Sequence, residues 1–323
     1  MVSRLYEGRL LSRMNARGKH SVFEDVGRGG HSRVCYGVCP PTSRDPESPM
    51  KHQTSMKLQT LFSAAAAACL FVLPAAHAQE RTPETTEVEA AQKSASEAGA
   101  EVIDPAPFEA LLERYVDARG QVDYARWHAS AEDRARLGEV VEAVGQAEVE
   151  GKSADARLAF YINAYNALVL NAVLERWPMQ SVMKAEGFFD KVKHRVAGQS
   201  LTLDELEHSR VIRAQFEEPR IHFVLVCAAK SCPRLRQEPM RAATLERQLD
   251  AAAREFIPAA TRRTESGVET SQLFNWFAED FVKSAGSVQA YLLRYVRDAE
   301  LRQALEAGAD VSFSEYDWAI NAR

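Results

Sequence analysis

The feature that most constrains the fold of this chain is the segment from Asp155 to Trp177, which is apolar nearly all round a helix. Apolar side chains recur on every face of the helix that these residues would form: Leu158, Phe160, Tyr161, Ala164, Tyr165, Leu168, Val169, Ala172 and Val173. A helix that is hydrophobic on all faces has to be surrounded by protein. The sequence therefore predicts a central buried helix with the rest of the domain packed around it.

Two asparagines interrupt this apolar surface. Asn163 and Asn166 are three residues apart and therefore share one face of the predicted helix. A buried amide left without hydrogen-bond partners costs about 1–3 kcal/mol, so both side chains need partners. They either hold a neighbouring loop through its backbone or line a functional site, and the sequence leaves both interpretations open.

Shorter periodic segments give the other elements. Helices are predicted over 108–116, 129–145, 202–213, 244–257, 273–281, 288–297 and 299–308, hairpins over 192–203 and 262–271, and a closing strand over 311–313. The continuous apolar run from Ile221 to Val226 is typical of a strand buried on both faces. The predicted fold class is α+β: a mostly helical single domain, over 105–323, with small β-hairpins and a central buried strand.

The residues that precede this domain are predicted to serve export. From Met56 onward, Lys57, the apolar run 58–73 and Ala76-His-Ala78 match the n-region, h-region and cleavage site of a signal peptide. We predict a non-native upstream extension over 1–55, a signal peptide over 56–78 and a disordered linker over 79–104. The alternatives are a genuine disordered extension and a lipid anchor on Cys69.

These assignments predict a periplasmic or secreted protein, cleaved near Ala78. The apolar run is shorter than the roughly 20 residues that span a bilayer, so no transmembrane helix is expected in the mature chain. Charge argues against nucleic acid as a partner, because residues 79–323 carry 30 basic and 40 acidic side chains. The expected partner is an unknown small molecule or peptide, and the sequence identifies no cofactor.

The candidate chemistry lies between Arg220 and Pro233. Of the five cysteines, Cys227 and Cys232 are the two that fall within the predicted mature chain, and His222 precedes them. Pro233 is well placed to begin a short helix, which would make Cys232 its N-cap residue. The helix dipole, together with Lys230, Arg234 and Arg236, would then favour a thiolate.

Three interpretations of these residues remain open. In the first, Cys232 is a nucleophile and His222 or His208 is its base. In the second, Cys227 and Cys232 form a disulfide that staples a small loop. In the third, both cysteines and His222 bind a metal, although the sequence offers no obvious fourth ligand.

Local geometry qualifies the first interpretation. In a regular strand, His222 and Cys227 would point to opposite faces of the sheet. Neighbouring residues on a helix also diverge, so Glu207 and His208 are not by themselves an acid–base pair, and a surface or capping role is expected for His208.

Five segments in order resemble the domain-of-unknown-function 547 family, and the likeness spans most of 105–321. They are Tyr161-Ile-Asn-Ala-Tyr-Asn-Ala-Leu168, Leu201-Thr-Leu-Asp-Glu-Leu-Glu-His208, the segment from Pro219 to Pro233, Phe274-Asn-Trp-Phe-Ala-Glu-Asp-Phe281 and Tyr316-Asp-Trp318. The family name carries no established activity to transfer. The resemblance implies that the polar residues of these signature segments meet in one site: Asn163, Asn166, Glu207, His208, Arg220, His222, Cys227, Ser231 and Cys232.

The resulting expectation is an exported thiol-dependent hydrolase or acyl transferase. Cys232 would attack the substrate, His222 or His208 would take the proton, and Asn163 or Asn166 would orient the base or hold an oxyanion. The expected binding residues are Glu207, Arg220, Lys230 and Ser231. The alternative is a non-catalytic periplasmic binding or scaffold domain stapled by a Cys227–Cys232 disulfide.

Overall fold

A computed structural model describes residues 100–323. The predicted signal peptide, the upstream extension and the linker up to residue 99 lie outside the described residues. Ten α-helices occur within 100–323: α1 (Ala106–Tyr115), α2 (Tyr124–Ala129), α3 (Ala131–Gln146), α4 (Ala154–Glu175), α5 (Ile212–Gln215), α6 (Leu245–Ala260), α7 (Leu273–Trp276), α8 (Ala278–Ala285), α9 (Val288–Leu293) and α10 (Ala299–Glu306). None of these helices is long and apolar enough to cross a membrane.

Helix α4 is the predicted central helix. The hydroxyl of Ser153 caps it by accepting a hydrogen bond from the backbone N–H of Ala156. Sixteen of its 22 residues are buried, on every face. It packs against α2, α3, α5 and the 3₁₀ turn Ala242–Thr244. Burial of side chains on all sides of α4 supplies the hydrophobic core on which the other elements are arranged.

Two small sheets complete the fold. Strands β1 (His194–Val196) and β2 (Gln199–Leu201) form an antiparallel hairpin. Strand β3 (Arg262–Thr264) pairs antiparallel with β4 (Gly267–Thr270), which pairs in parallel with β5 (Val311–Phe313). The predicted α+β class, both hairpins and the closing strand are confirmed.

The predicted central strand over 221–226 is wrong. Pro219–Phe223 forms a 3₁₀ helix between α6 and α8, and residues 224–227 continue without regular structure. Burial was predicted correctly, since the residues from Ile221 to Val226 are all buried. Pro219 begins the 3₁₀ helix, a position at which its missing N–H costs nothing. The backbone that follows obtains hydrogen bonds from a side chain of α4 instead of a neighbouring strand.

The predicted helix at Pro233 is also absent. Ser231 and Cys232 lie in a turn, residues 233–236 are irregular, and the next helical turn is Ala242–Thr244. Cys232 is therefore not an N-cap residue, and a helix dipole does not act on its sulfur.

The predicted helix over 202–213 contains an unusual turn. Glu205–Ser209 is a π-helix, and α5 follows it after a break. The hydroxyl of Thr202 accepts a hydrogen bond from the backbone N–H of Glu205, so Thr202 caps this segment. Such π turns are rare and recur at functional sites.

Candidate functional site

The two thiols line a narrow pocket of about 40 Å³ that is built from five parts of the chain. Helix α4 contributes Tyr165, the π-helix contributes Glu207 and His208, and the 3₁₀ helix contributes His222. The aromatic wall comes from Trp276 and Phe277 and from the C-terminal residues Tyr316 and Trp318. Five of the predicted site residues therefore meet: Glu207, His208, His222, Cys227 and Cys232.

The two cysteines are free thiols that contact each other. The backbone N–H of Cys227 donates a hydrogen bond to the sulfur of Cys232, with an N···S distance of 3.1 Å. The hydroxyl of Tyr316 donates to the same sulfur at 3.2 Å, and it lies 3.6 Å from the sulfur of Cys227. A hydrogen bond also joins the two thiol groups. Both cysteines are therefore free thiols in this structure.

These contacts shift the pKa values of the two thiols in opposite directions. Burial by itself would raise the pKa of Cys232, but hydrogen bonds from Cys227, from Tyr316 and from the backbone amides of Ala229 and Cys227 outweigh it and lower that pKa. The hydrogen bond to Cys232, reinforced by burial, raises the pKa of Cys227 well above its ordinary value. Cys232 is therefore the thiol that ionises first, with Cys227 as its proton-bearing neighbour.

His222 is held in place on two sides. Its Nε2 lies 2.7 Å from Oδ2 of Asp280, and its ring stacks on Phe277 with the ring centroids 3.9 Å apart. Burial lowers the pKa of His222 despite the neighbouring carboxylate, so the imidazole stays neutral. A carboxylate accepts hydrogen bonds only, which places the ring proton on Nε2. Nδ1 then presents a lone pair, and it is buried without a hydrogen-bond partner among residues 100–323.

Asp280 is fixed by a second partner. The guanidinium of Arg213 binds both of its carboxylate oxygens, with Nε–Oδ2 and Nη2–Oδ1 distances of 2.7 and 2.8 Å. Burial favours the protonated carboxyl, but the hydrogen bonds from His222 and Arg213 outweigh it and hold the pKa of Asp280 well below its usual range. Asp280 therefore stays ionised and fixes the orientation of His222.

The π-helix brings Glu207 and His208 to the same pocket. Their side chains are each 12% exposed, and Oε1 of Glu207 lies 3.8 Å from Nε2 of His208. Burial raises the pKa of Glu207, although a hydrogen bond from Tyr165 partly offsets it. The expected surface or capping role for His208 is wrong, because its side chain is only 12% exposed and lines the thiol pocket.

Asn163 and Asn166 lie outside this pocket. The amide of Asn163 exchanges two hydrogen bonds of 2.8 Å with the backbone of Met240. The amide of Asn166 donates to the carbonyl of Val224 at 2.9 Å and accepts from the N–H of Val226 at 3.0 Å. Of the two interpretations, the structure supports the loop-holding one. The predicted orienting or oxyanion role is not supported, since both amides bond the backbone and neither lines the thiol pocket.

The other predicted binding residues also have structural contacts. Arg220 is held by Glu218 and Glu246 away from the thiol pocket. The backbone N–H of Lys230 donates to the carbonyl of Ala319 at 2.8 Å. The hydroxyl of Ser231 accepts from the N–H of Asp317, also at 2.8 Å. The turn that contains Lys230 and Ser231 therefore holds the C-terminal segment, and with it Tyr316, against the cysteines.

Sequence reasoning missed several residues of the site. Asp280 and Tyr316 belong to segments that carried the family resemblance, but no spacing rule linked them to the cysteines. Phe277 lies in the same segment as Asp280, whereas Arg213 gave no sequence signal. Within residues 100–323, no group of three or more His, Cys, Asp or Glu side chains is arranged to bind a metal ion.

Comparison with protein families gives one match. Residues 149–257 match the family described as protein of unknown function, DUF547. The match contains Glu207, His208, His222 and both thiols, whereas Asp280 and Tyr316 come from beyond it. Searches of curated proteins and of solved structures found no significant similarity.

Proposed function

Residues 149–257 of this chain belong to the DUF547 family, and from that premise we propose that the domain is a thiol-dependent hydrolase or acyl transferase. One observation carries the proposal. A thiol with a lowered pKa, Cys232, shares a pocket with a neutral histidine, His222, whose Nε2 is bound by a carboxylate and whose Nδ1 is unpartnered. Nucleophile, base and orienting carboxylate are the three parts that covalent acyl transfer needs.

The roles of the residues follow from their protonation states. The proton of the Cys232 thiol passes to Nδ1 of His222, and the thiolate attacks the carbonyl carbon of the substrate. The carbon–sulfur bond forms, the bond to the leaving group breaks, and the leaving group takes the proton from His222. Water then attacks the thioester, giving its proton to Nδ1 and releasing Cys232 and an acid. An amine or alcohol in place of water gives acyl transfer.

Asp280 is a positioning residue in this scheme. It fixes the tautomer of His222 and stabilises the imidazolium that forms during the reaction. Tyr316 supports the thiolate by its hydrogen bond to the sulfur. Asp280 thus supplies the orienting function that the sequence had suggested for Asn163 or Asn166.

An activated ester tests the proposal directly. We would incubate the reduced protein with p-nitrophenyl acetate, quench the reaction in acid and locate any acetyl group by intact and peptide mass. The expected result is an acetyl thioester on Cys232 in the unaltered protein and in Cys227→Ser, and none in Cys232→Ser. Asp280→Asn should form the thioester more slowly. Ester hydrolysis that persists in Cys232→Ser would overturn the proposal.

A second candidate function rests on the contact between the two thiols. Because they are hydrogen-bonded neighbours, their oxidation would close the loop between Cys227 and Cys232 and remove the nucleophile. The protein would then be a non-catalytic binding or scaffold domain. Alkylation of exported protein before and after reduction separates the two functions. Thiols that alkylate without reduction support the enzyme, whereas thiols that alkylate only after reduction support the staple.

The proposed location follows from the signal peptide predicted over 56–78. A periplasmic or secreted enzyme of this kind would have its N-terminus near Gln79. N-terminal sequencing of protein recovered from the periplasm or medium tests this location, and recovery of the uncleaved chain from the cytoplasm alone would contradict it.

A further inference from the structure

A second and much larger cavity borders Cys232. It has a volume of about 490 Å³, within the range of small-molecule sites. Cys232 and Pro233 line both this cavity and the thiol pocket of about 40 Å³. A pocket of 40 Å³ accommodates little more than a reacting group, whereas the larger cavity beside Cys232 has room for the body of a substrate.

The larger cavity is strongly basic. Four cationic side chains line it, and Glu255 is the single carboxylate among its lining residues: Arg119, Lys230, Arg234 and Arg236 provide the positive charge. Glu255 is already shared, because its Oε2 accepts from Arg234 and from Arg236 at 2.9 Å each. The wall therefore keeps an excess of three positive charges, although residues 79–323 are acidic overall.

Two of these four cationic side chains have no acidic partner within residues 100–323. Within residues 100–323, the side chains of Arg119 and Lys230 take part in no ion pair, and both residues are exposed. Arg234 and Arg236, in contrast, already form ion pairs with Glu255. Arg119 and Lys230 are consequently the side chains available to meet a charged ligand.

Backbone packing holds the basic wall together. Gly120 adopts a φ of +79°, and a Cβ there would lie 2.6 Å from the backbone nitrogen of Leu235. The guanidinium of Arg234 also donates to the carbonyl of Ala118 at 3.2 Å. The loop that carries Arg119 is thus fixed against the segment that follows Cys232.

We propose that this basic cavity binds an anionic group, a carboxylate or a phosphate, of the molecule whose acyl carbon Cys232 attacks. The inference rests on the proposed function, and it names the substrate class as an acyl compound with a negatively charged tail. Apolar contact for the part between the acyl carbon and the tail is available from Phe223 and Phe256, whose rings stack with centroids 5.4 Å apart.

Two alkylating reagents of similar size test the inference without using enzyme activity. Iodoacetate is an anion and iodoacetamide is neutral, so the ratio of their rates at Cys232 reports the local positive potential. In the double variant Arg119→Gln/Lys230→Gln, we expect this ratio to fall by about threefold or more at low ionic strength. A change in the pKa of Cys232 affects both rates equally and cancels in the ratio.

The matched control removes the same charge elsewhere. In Lys193→Gln/Lys283→Gln, two lysines paired with Glu205 and Glu217 are replaced, and the ratio should stay unchanged. Inorganic phosphate and succinate, added separately, distinguish the two anions, since the group that fits should slow alkylation of Cys232 by iodoacetate in the unaltered protein. A ratio that is equal in both double variants, or alkylation that neither anion slows, overturns the inference.

A direct measurement covers the case in which Cys232 is too enclosed to react. Calorimetric titration of phosphate and of succinate should show binding that is lost in Arg119→Gln/Lys230→Gln and kept in the control. Failure of both anions to bind would refute the anionic subsite and leave the acetyl-thioester test of Cys232 intact. Failure of that test, with anion binding preserved, would instead refute the proposed chemistry.

Discussion

The backbone amide of Cys227 donates a hydrogen bond to the sulfur of Cys232, with nitrogen and sulfur 3.1 Å apart. A hydrogen bond to a sulfur stabilises the thiolate over the thiol. The residue that supplies this bond is itself a thiol with a raised pKa. The pair is therefore asymmetric, and the asymmetry is fixed by the backbone of the turn that joins the two cysteines.

The first prediction concerns the order in which the thiols react. Because the pKa of Cys232 is lowered and that of Cys227 is raised, iodoacetamide should label Cys232 at a lower pH than Cys227. Peptide mass spectrometry over a pH series measures both midpoints. The reverse order, or one common midpoint, would contradict the assignment of the nucleophile.

The second prediction concerns Tyr316. Tyr316→Phe removes the hydroxyl that donates to the sulfur of Cys232, so the pKa of Cys232 should rise. A hydrogen bond worth about 1 kcal/mol corresponds to somewhat less than one pH unit in the alkylation midpoint. Tyr161→Phe is the control, because Tyr161 is buried in the core but does not line the thiol pocket. A midpoint that moves equally in both variants would rule out the role of the Tyr316 hydroxyl.

The third prediction concerns Asp280. Asp280→Asn leaves the guanidinium of Arg213, which is 15% exposed, without its carboxylate. The free energy of unfolding should fall by about 3 kcal/mol, the lower end of the loss when one partner of a buried ion pair is removed, because Asp280 is 25% exposed. Asp250→Asn, which breaks a solvent-exposed pair with Arg254, should change it by about 1 kcal/mol or less. Urea unfolding at neutral pH compares the two variants.

The depressed pKa of Asp280 adds a pH dependence. The unfolded chain binds a proton at this carboxyl below about pH 4, whereas the folded protein does so only at lower pH. The stabilisation from Asp280 is thus complete above about pH 4 and is lost as the pH falls toward the folded-state pKa. Unfolding curves should show this loss in the unaltered protein and a shallower one in Asp280→Asn. Parallel acid dependences would contradict the ionised Asp280.

The fourth prediction concerns Asn166. Asn166→Ala removes both hydrogen bonds to the backbone of Val224 and Val226, leaving a buried N–H and a buried carbonyl unpaired. We expect the free energy of unfolding to drop by about 2–4 kcal/mol. On the same helix, Asn171 bonds only the side chain of Glu175 near the surface, so Asn171→Ala should cost less than about 1 kcal/mol. Equal losses in the two variants would contradict the stabilising role of the two Asn166 hydrogen bonds.

The elements predicted well are those in which apolar side chains repeat with a regular spacing. Side chains repeat with helical spacing through α1, α3, α4 and α6, and glycines mark both hairpins. The run over 221–226 was predicted to be a strand because a short continuous apolar segment is ambiguous, and periodicity alone cannot separate a strand from other buried backbone. The missing information lay in Asn166, whose amide gives that backbone the partners that a neighbouring strand would have given.

The candidate site divides in a similar way. Its titratable core of Cys227, Cys232, His222, Glu207 and His208 could be collected from motifs in the sequence. The side chains that set the protonation states, above all Asp280 and Tyr316, come from 48 or more residues further along the chain than Cys232. Only tertiary packing brings them together, so no local pattern could have identified them.

The π turn at Glu205–Ser209 makes the site depend on the length of the chain as well as on its side chains. A π turn contains one residue more than the α turn that would span the same stretch of helix. Loss of one residue here would let the segment relax to an ordinary helix and rotate Glu207 and His208 with respect to Cys232, while every side chain of the pocket kept its identity. Among natural variants of this domain, a deletion within Glu205–Ser209 would therefore change the site as much as a substitution of one of its side chains.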